Sequence, residues 1–460
     1  MKTYDIAIIG GGPGGYVAAI KAAQLGYDTV LFEAHKIGGI CLNYGCIPTK
    51  TLLKTAKLFK EIKHAKIFGI DIDGVESARI NWDHMMLRKD KVVKQLTGGV
   101  SSLLKHNGVT VISGFANVTD NHTLEVDGDR YGFKQLIVAT GSSPVMPSIP
   151  GLEEAVNKGY VIDSTGAIAL KSLPKKLVIL GGGVIAVEFA TLYSNLGTEV
   201  VLIQRSSEIL SFLDKDVKST MHKHLVKSGV KIITETKIKE IRGNQVIFTK
   251  NGEDHRETGD FILASLGRKP NLRGLEALNL EHDKKGILVD ERMRTNIDNV
   301  YAIGDVNGKY MLAHVASAEG ISAVEAIHGE GHPVDYNKIP SCIYSFPEVG
   351  VVGLTEDQAI EKGYDVTTSI FPVSVNGKAL AEGESVGFVK LIADKKYGEV
   401  IGVHIIASHA TDMIAEAVAT MELEGTIHDL AKAVHPHPTL SELVMEAAHS
   451  ALGNPIHMKK

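Results

Sequence analysis

Cys41 and Cys46 stand five residues apart in GGICLNYGCIPTK, a spacing at which two thiols can pair only if the backbone bends between them. The Cα atoms of a disulfide lie within roughly 7 Å, whereas five residues of regular α-helix already rise about 7.5 Å. Gly45 can supply the break, because glycine adopts conformations that other residues resist. The Lys- and Leu-rich run that follows, with Pro48 near its start, predicts a helix with Cys46 at its N-terminus. The helix dipole favours a thiolate there, so the pair reads as an activated dithiol. Two inert buried cysteines, or a metal site, are the alternatives. Zinc needs further ligands, and the chain offers neither a CxxC spacing nor a second pair. Cys342, in IPSCIYSF, has no partner and is expected to pack in a strand.

A dithiol needs somewhere to send its electrons, and two glycine-rich turns suggest where. The segment Tyr4–Glu33 reads strand, turn, helix, strand, with Gly10-x-Gly12-x-x-Gly15 at the turn and Glu33 closing the second strand. Gly10 makes the turn, Gly12 admits a pyrophosphate, Gly15 lets helix meet strand, and Glu33 can accept from a ribose 2′-hydroxyl. Lys176–Arg205 repeats the design with Gly181-x-Gly183-x-x-Ala186, but Gln204 and Arg205 stand where the acid is expected. An arginine there can accommodate a 2′-phosphate, or it is a solvated surface residue, so the choice between NAD and NADP stays open. Two such units in one chain imply two dinucleotide cofactors.

The elements that carry these motifs predict an α/β protein of about three domains. Residues 51–106 read as a helical excursion, after which VTVISG and QLIVATG return to the first domain as strands. KIITETKIKEI, QVIFTK and FILASLG read as strands of the second unit. TNIDNVYAIGD resumes the interrupted first domain, and from about Pro340 strand-like IPSCIYSFPEVGVVG, TTSIFPV and FVKLIA precede a helix-rich end, an α+β cap with an interface role. With 460 residues, 44% of them hydrophobic, and a net charge of −5, the chain can bury several cores and has no basic footprint for nucleic acid or an anionic membrane. The N-terminus lacks a basic leader and no apolar run reaches spanning length, so a cytoplasmic location is expected.

These motifs, in this order and over nearly the whole chain, resemble the FAD-linked pyridine nucleotide-disulfide oxidoreductases. The resemblance rests on the first GxGxxG, GGICLNYGCIPTK, ATG at Ala139–Gly141, the second GxGxxA, GRKPN at Gly267–Asn271, TNIDNVYAIGD, LAHVASAEG and HPHPTLSE. It implies two Rossmann-like dinucleotide-binding domains, for FAD and NAD, and a C-terminal α+β dimerisation domain. The FAD domain would span 1–145 and resume at 273–338, the NAD(P) domain 146–272 and the dimerisation domain 339–460. By the same resemblance Asp305 binds the FAD ribitol, Leu312–His314 lines the flavin around Ala313, and Lys50 pairs with Glu188 beside its reactive edge. Thr140, Gly141, Gly267 and Arg268 join the cofactor-binding residues as members of the ATG and GRKPN motifs.

HPHPTLSE separates branches of the family, since the members that oxidise dihydrolipoyl groups carry HxHPTxSE there. The resemblance therefore makes His437 the catalytic base and Glu442 its orienting acid, with His435 structural. Such a base suits dithiol chemistry near neutral pH. It also implies a homodimer in which this His serves the partner's site, and a lipoyl domain carried by a separate E2 or carrier protein. The expected cycle passes electrons from a dihydrolipoyl dithiol to the Cys41–Cys46 disulfide, then through FAD to NAD+. Two rivals stand beside it. One is an NADPH-dependent reductase of glutathione-type small disulfides, favoured by Arg205, and the other is a flavoprotein kept as a structural or redox-sensing partner.

Overall fold

The computed structural model describes residues 1–459. The strand Lys2–Ile9 pairs in parallel on both sides, with Thr29–Glu33 and with Asp129–Val138. An apolar run with neighbours on both edges and cover on both faces has this continuous hydrophobic character. Thr110–Ser113 extends the sheet beyond Thr29–Glu33. Far along the chain, Val300–Ala302 comes back to pair in parallel with Asp129–Val138, so the late motif does rejoin the first sheet. The helices Pro13–Gln24 and Ala313–His328 cross closely over it. A Cβ on Gly320 would lie 2.7 Å from the carbonyl oxygen of Gly14, which makes glycine a requirement of that approach.

The second unit repeats the architecture. Its parallel sheet runs Lys231–Ile233, Glu199–Ile203, Lys176–Leu180, Phe261–Ala264 and Val161–Ile162. Val178, Ile179, Leu180, Val201, Leu202, Ile262 and Leu263 are fully buried in it, each such side chain contributing about 1.5–3 kcal/mol of transfer free energy. One expectation needs correction here. KIITETKIKEI is not a single strand, because Glu235 takes a positive φ of 58° and Thr236 bonds back to the Gln204 carbonyl. The chain turns there, and Lys237–Arg242 leaves the parallel sheet to start an antiparallel one with Gln245–Lys250 and Glu253–Thr258.

The last unit is a five-stranded antiparallel sheet in the order Ser341–Ile343, Glu348–Gly353, Val400–Ala407, Phe388–Asp394, Val366–Pro372. IPSCIYSFPEVGVVG likewise divides into two strands, turning over residues 344–347. The helices Ala410–Glu422 and Glu442–Ala451 cover this sheet with their apolar faces. Lys390, 1% exposed, joins the sheet to the second unit: its Nζ lies 3.0 Å from Asp214, 2.7 Å from Asp216 and 2.9 Å from Glu356. The chain is thus α/β, with two units built on largely parallel sheets and an α+β C-terminal unit. The helical excursion resolves into Cys46–Lys63 and Trp82–His106. Among the described residues no helix is long and apolar enough to cross a membrane.

Candidate active site

Three strands of the first sheet end side by side, at Ile9, Val138 and Ala302, so the loops that follow them share one edge. This is the carboxyl edge at which open parallel sheets bind ligands. Gly10 (φ 106°) begins the first loop, where a Cβ would come 2.2 Å from the Ala139 carbonyl oxygen. A Cβ on Gly15 would come 1.8 Å from the Gly10 oxygen, so both positions exclude any other residue. Gly12 differs, since a side chain there would meet nothing nearer than 3.9 Å. That space, at the N-terminus of Pro13–Gln24, fits a pyrophosphate. Glu33 faces the turn and accepts from the N–H groups of Gly11 at 2.7 Å and His35 at 2.6 Å.

Around the same edge Thr140 and Gly141 are clasped to Asn271. Thr140 Oγ1 donates to the Asn271 carbonyl at 2.7 Å, Asn271 Nδ2 donates to the Thr140 carbonyl at 3.0 Å, and Asn271 N–H donates to Gly141 at 2.9 Å. The short pair Ser142–Pro144 and Arg268–Pro270 continues the clasp as an antiparallel ladder just past Gly267. Asp305 accepts a hydrogen bond from Ser142 Oγ, and Arg268 holds the same hydroxyl from the other side at 2.7 Å. Burial pulls the Arg268 guanidinium below its ordinary range, while Asp305 opposes that shift. Ala313 opens the helix Ala313–His328.

Cys46 is the first residue of Cys46–Lys63, as its sequence context predicts. Cys41 lies in a separate short helix, Gly39–Tyr44, which the sequence did not announce. Gly45 is the break between them, and its role is steric: a Cβ there would sit 3.2 Å from both the Cγ2 and the carbonyl oxygen of Ile40. Both sulfurs are free thiols and half-buried. Each thiol shifts the other, and in opposite directions. The neighbouring Cys41 thiol, with the charge of Lys50 added, brings Cys46 down to about 7. The Cys46 sulfur, with burial, pushes Cys41 well up. The pair is therefore asymmetric, with Cys46 the sulfur that ionises first.

One turn beyond Cys46, Lys50 reaches across to the second unit. Its Nζ lies 2.9 and 2.8 Å from the two carboxylate oxygens of Glu188, which is 4% exposed. Tyr344 completes this contact: its N–H donates to Glu188 Oε1 at 3.0 Å, and Lys50 Nζ sits 4.5 Å from its ring centre. No sequence motif pointed to Tyr344. Glu188 belongs to Val184–Asn195, the helix that opens at the second glycine turn. There a Cβ on Gly181 (φ 111°) would lie 2.1 Å from the Ser265 oxygen, one on Gly183 would meet nothing within 4 Å, and Ala186 is buried against the sheet. The geometry matches the first turn and leaves the same opening for a phosphate bridge. Gln204, at the end of Glu199–Ile203, donates to Ser206 Oγ at 2.7 Å, while Arg205 is exposed and forms no ion pair among the described residues.

Two glycine turns of matching geometry and a close cysteine pair thus stand in one chain. The chain belongs to the pyridine nucleotide-disulphide oxidoreductases. That family's model matches residues 4–320 and its dimerisation-domain model matches 339–448. The chain is 42% identical over 452 residues to a protein of Mycoplasma genitalium named dihydrolipoyl dehydrogenase, covering 98% of each chain. It is also 42% identical over 469 residues to the Bacillus subtilis protein of that name, covering 99% of this chain and 98% of that one. In structure it resembles the HOCl-induced flavoprotein disulfide reductase RclA from Escherichia coli, with a TM-score of 0.86 at 28% identity over 97% of this chain and 99% of that one.

In this member of the pyridine nucleotide-disulphide oxidoreductases the remaining motif, HPHPTLSE, lies in the dimerisation domain. His437 Nδ1 is 2.8 Å from Glu442 Oε1, and Glu442 Oε2 accepts from the Thr439 N–H at 2.8 Å. The carboxylate thus holds Nδ1 as the protonated nitrogen and leaves Nε2 free to take a proton. His437 is 78% exposed, and no hydrogen bond joins it to either sulfur of its own chain. His435 differs in being tucked away, with Nε2 2.6 Å from Glu416 and Nδ1 3.0 Å from the Ala433 carbonyl, so it anchors the loop that presents His437.

Proposed function

We propose that the chain oxidises protein-bound dihydrolipoyl groups and passes the electrons to NAD+, as the E3 component of a 2-oxo-acid, acetoin or glycine-cleavage complex. The observation that carries this reading is the His437–Glu442 dyad, Nδ1 to Oε1 2.8 Å, in a chain whose Cys41 and Cys46 stand beside the Lys50–Glu188 pair. Full-length relatives named dihydrolipoyl dehydrogenase support the substrate. Gly10, Gly12, Gly15, Glu33, Lys50, Thr140, Gly141, Asp305 and Ala313 would hold FAD. Gly181, Gly183, Ala186, Gln204 and Arg205 would serve the nicotinamide nucleotide, and Gly267 and Arg268, the latter bonded to Ser142 beside Asp305, would complete the cofactor sites. The division of the chain after residues 145, 272 and 338 belongs to the same reading, and each of the three main sheets falls within its limits.

With the pair oxidised to a disulfide, a dihydrolipoyl thiol gives its proton to Nε2 of His437 from the partner subunit and attacks Cys41. A mixed disulfide forms at Cys41, and the Cys41–Cys46 bond breaks toward Cys46. That direction follows from leaving-group strength, since the better-stabilised thiolate leaves faster and Cys46 stands at a helix N-terminus with the Lys50 charge lowering its pKa. The second lipoyl thiol then attacks the mixed disulfide and closes the lipoyl ring, its proton passing to the released Cys41 sulfur, while the first proton stays on His437 until it is lost to solvent. Two electrons now rest on the thiol–thiolate pair. FAD held by the residues named above would supply the electron acceptor next to Cys46 and the hydride chemistry toward NAD+. The Lys50 charge keeps Cys46 ionised, and Glu188 keeps Lys50 in place.

The partner that supplies the second His437 would be a copy of this chain, and the lipoyl domain a separate polypeptide. A cytoplasmic setting fits the free thiol of Cys342. A Cys46→Ser variant tests the reading: it should keep its FAD and lose dihydrolipoamide oxidation, and retained turnover would refute it. A second reading, NADPH-linked reduction of a glutathione-type disulfide, is favoured by the exposed, unpaired Arg205 and disfavoured by the His437–Glu442 dyad.

A further inference from the structure

Glu319, in the helix Ala313–His328, is completely buried, and no ion pair accompanies it among the described residues. A buried carboxylate persists only where donors replace its water, and Glu319 has three. The Gly304 N–H donates to Oε2 at 2.6 Å, Asn307 Nδ2 donates to Oε2 at 2.9 Å, and the Tyr336 hydroxyl donates to Oε1 at 2.6 Å. Burial pushes the carboxyl up, and the three donors pull it back. Gly304 and Asn307 are the two ends of the short helical turn that carries Asp305. Tyr336 opens the short helix Tyr336–Lys338, which leads into the C-terminal sheet, and its ring stacks on Tyr310 at 5.6 Å. One side chain therefore fastens the Asp305 turn on both sides and ties it to the domain junction.

We propose that Glu319 is the positioning residue of the Asp305 turn, and that its bonds to Gly304 and Asn307 set where Asp305 stands against the FAD ribitol. This rests on Asp305 contacting FAD. Removing the acceptor leaves the buried Gly304 N–H unpaired and the Asn307 amide with its longer contact to the Ala302 carbonyl at 3.4 Å, and the turn must shift to recover partners. A Glu319→Gln variant can keep the arrangement, because the amide oxygen of the new side chain still serves Gly304 and Asn307 while its nitrogen donates to the rotatable Tyr336 hydroxyl.

FAD titrated into the stripped protein, with the visible circular dichroism of the bound flavin, tests this in four variants. Asp305→Ala should weaken FAD, and if it does not, the reading of Asp305 fails first and takes the proposal with it. Given that loss, Glu319→Ala should weaken FAD about tenfold and alter the flavin dichroism, while Glu319→Gln restores both. Asn307→Ala, which removes one turn bond from the other side, should shift affinity the same way by about threefold, and it decides the matter should Glu319→Ala not fold. Unchanged affinity and dichroism in Glu319→Ala, or in Asn307→Ala where that variant must stand in, overturns the proposal. So does a Glu319→Gln variant as impaired as Glu319→Ala.

Discussion

Lys50 bridges two domains by closing on both oxygens of Glu188, at 2.9 and 2.8 Å, one helical turn from Cys46. The two charges act on Cys46 in opposite senses, Lys50 lowering its pKa and Glu188 raising it. Lys50→Met should therefore move the ionisation of Cys46 in the reduced enzyme upward from about 7, by about 1 pH unit. Glu188→Gln should move it downward if Lys50 stays in place. Thiolate absorbance followed against pH reads both, and movement of the two variants in one direction would show that the pair does not act through charge.

His437 is 78% exposed although Glu442 holds it in one orientation, as expected if it serves the partner's site in the proposed cycle. Cys46→Ser and His437→Gln dimers should each be nearly inactive, the second by about a hundredfold or more. Unfolding and refolding them together should form hybrids with one intact site, built from the cysteines of one chain and the histidine of the other. Recovered activity is the expected result. A mixture as inactive as its parents would place His437 and the cysteines of one chain at the same site.

Gln204 stands at the end of its strand without the acid that Glu33 provides in the first unit. Gln204→Glu should lower KM for NAD+ and raise the preference for NAD+ over NADP+ by about tenfold, because a carboxylate accepts from a 2′-hydroxyl and repels a 2′-phosphate. Steady-state kinetics with both nucleotides would show it. An unchanged ratio would mean that the nucleotide is read elsewhere.

Much of this site could be read from local spacing. Gly10, Gly12, Gly15 and Glu33 announce themselves because a phosphate turn demands glycine at fixed intervals, and Cys41 and Cys46 because their spacing rules out regular helix. What escaped was of two kinds. Tyr344 and Ser142 act through contacts with segments far away in the chain, and Glu319 through three donors on two other elements; a lone tyrosine, serine or glutamate carries no signal of such partners. The break at Glu235 escaped because a non-glycine residue adopts the left-handed conformation there, so the usual glycine that marks a turn is missing. Lys390 likewise reads as an ordinary strand lysine until its three carboxylates arrive from other elements.

That lysine makes a stability prediction. Lys390→Ala leaves the buried Asp214 without its cation, while Asp216 stays partly exposed and Glu356 keeps Lys215 at 3.0 Å, and should cost about 3 kcal/mol, seen as a lowered melting temperature. The hydrogen bond from Lys390 holds Glu356 below the usual carboxylate range. A depressed folded-state pKa adds stability that is present above the ordinary carboxylate pKa and lost as pH falls through the folded value. The wild type should thus lose more stability on acidification than the variant, in a window below the ordinary glutamate range. Parallel pH–melting curves for the two proteins would contradict the buried ion cluster as its source.

The central claim concerns what the dithiol serves, and rates of lipoamide and glutathione-disulfide reduction with NADH and with NADPH test it most directly. Fast NADH-dependent reduction of lipoamide, with glutathione disulfide nearly inert, is the result expected of Cys46, His437 and Glu442 in these positions. A clear NADPH preference with lipoamide nearly inert would contradict it and move the chain to the small-disulfide reductases, with Arg205 as its nucleotide reader.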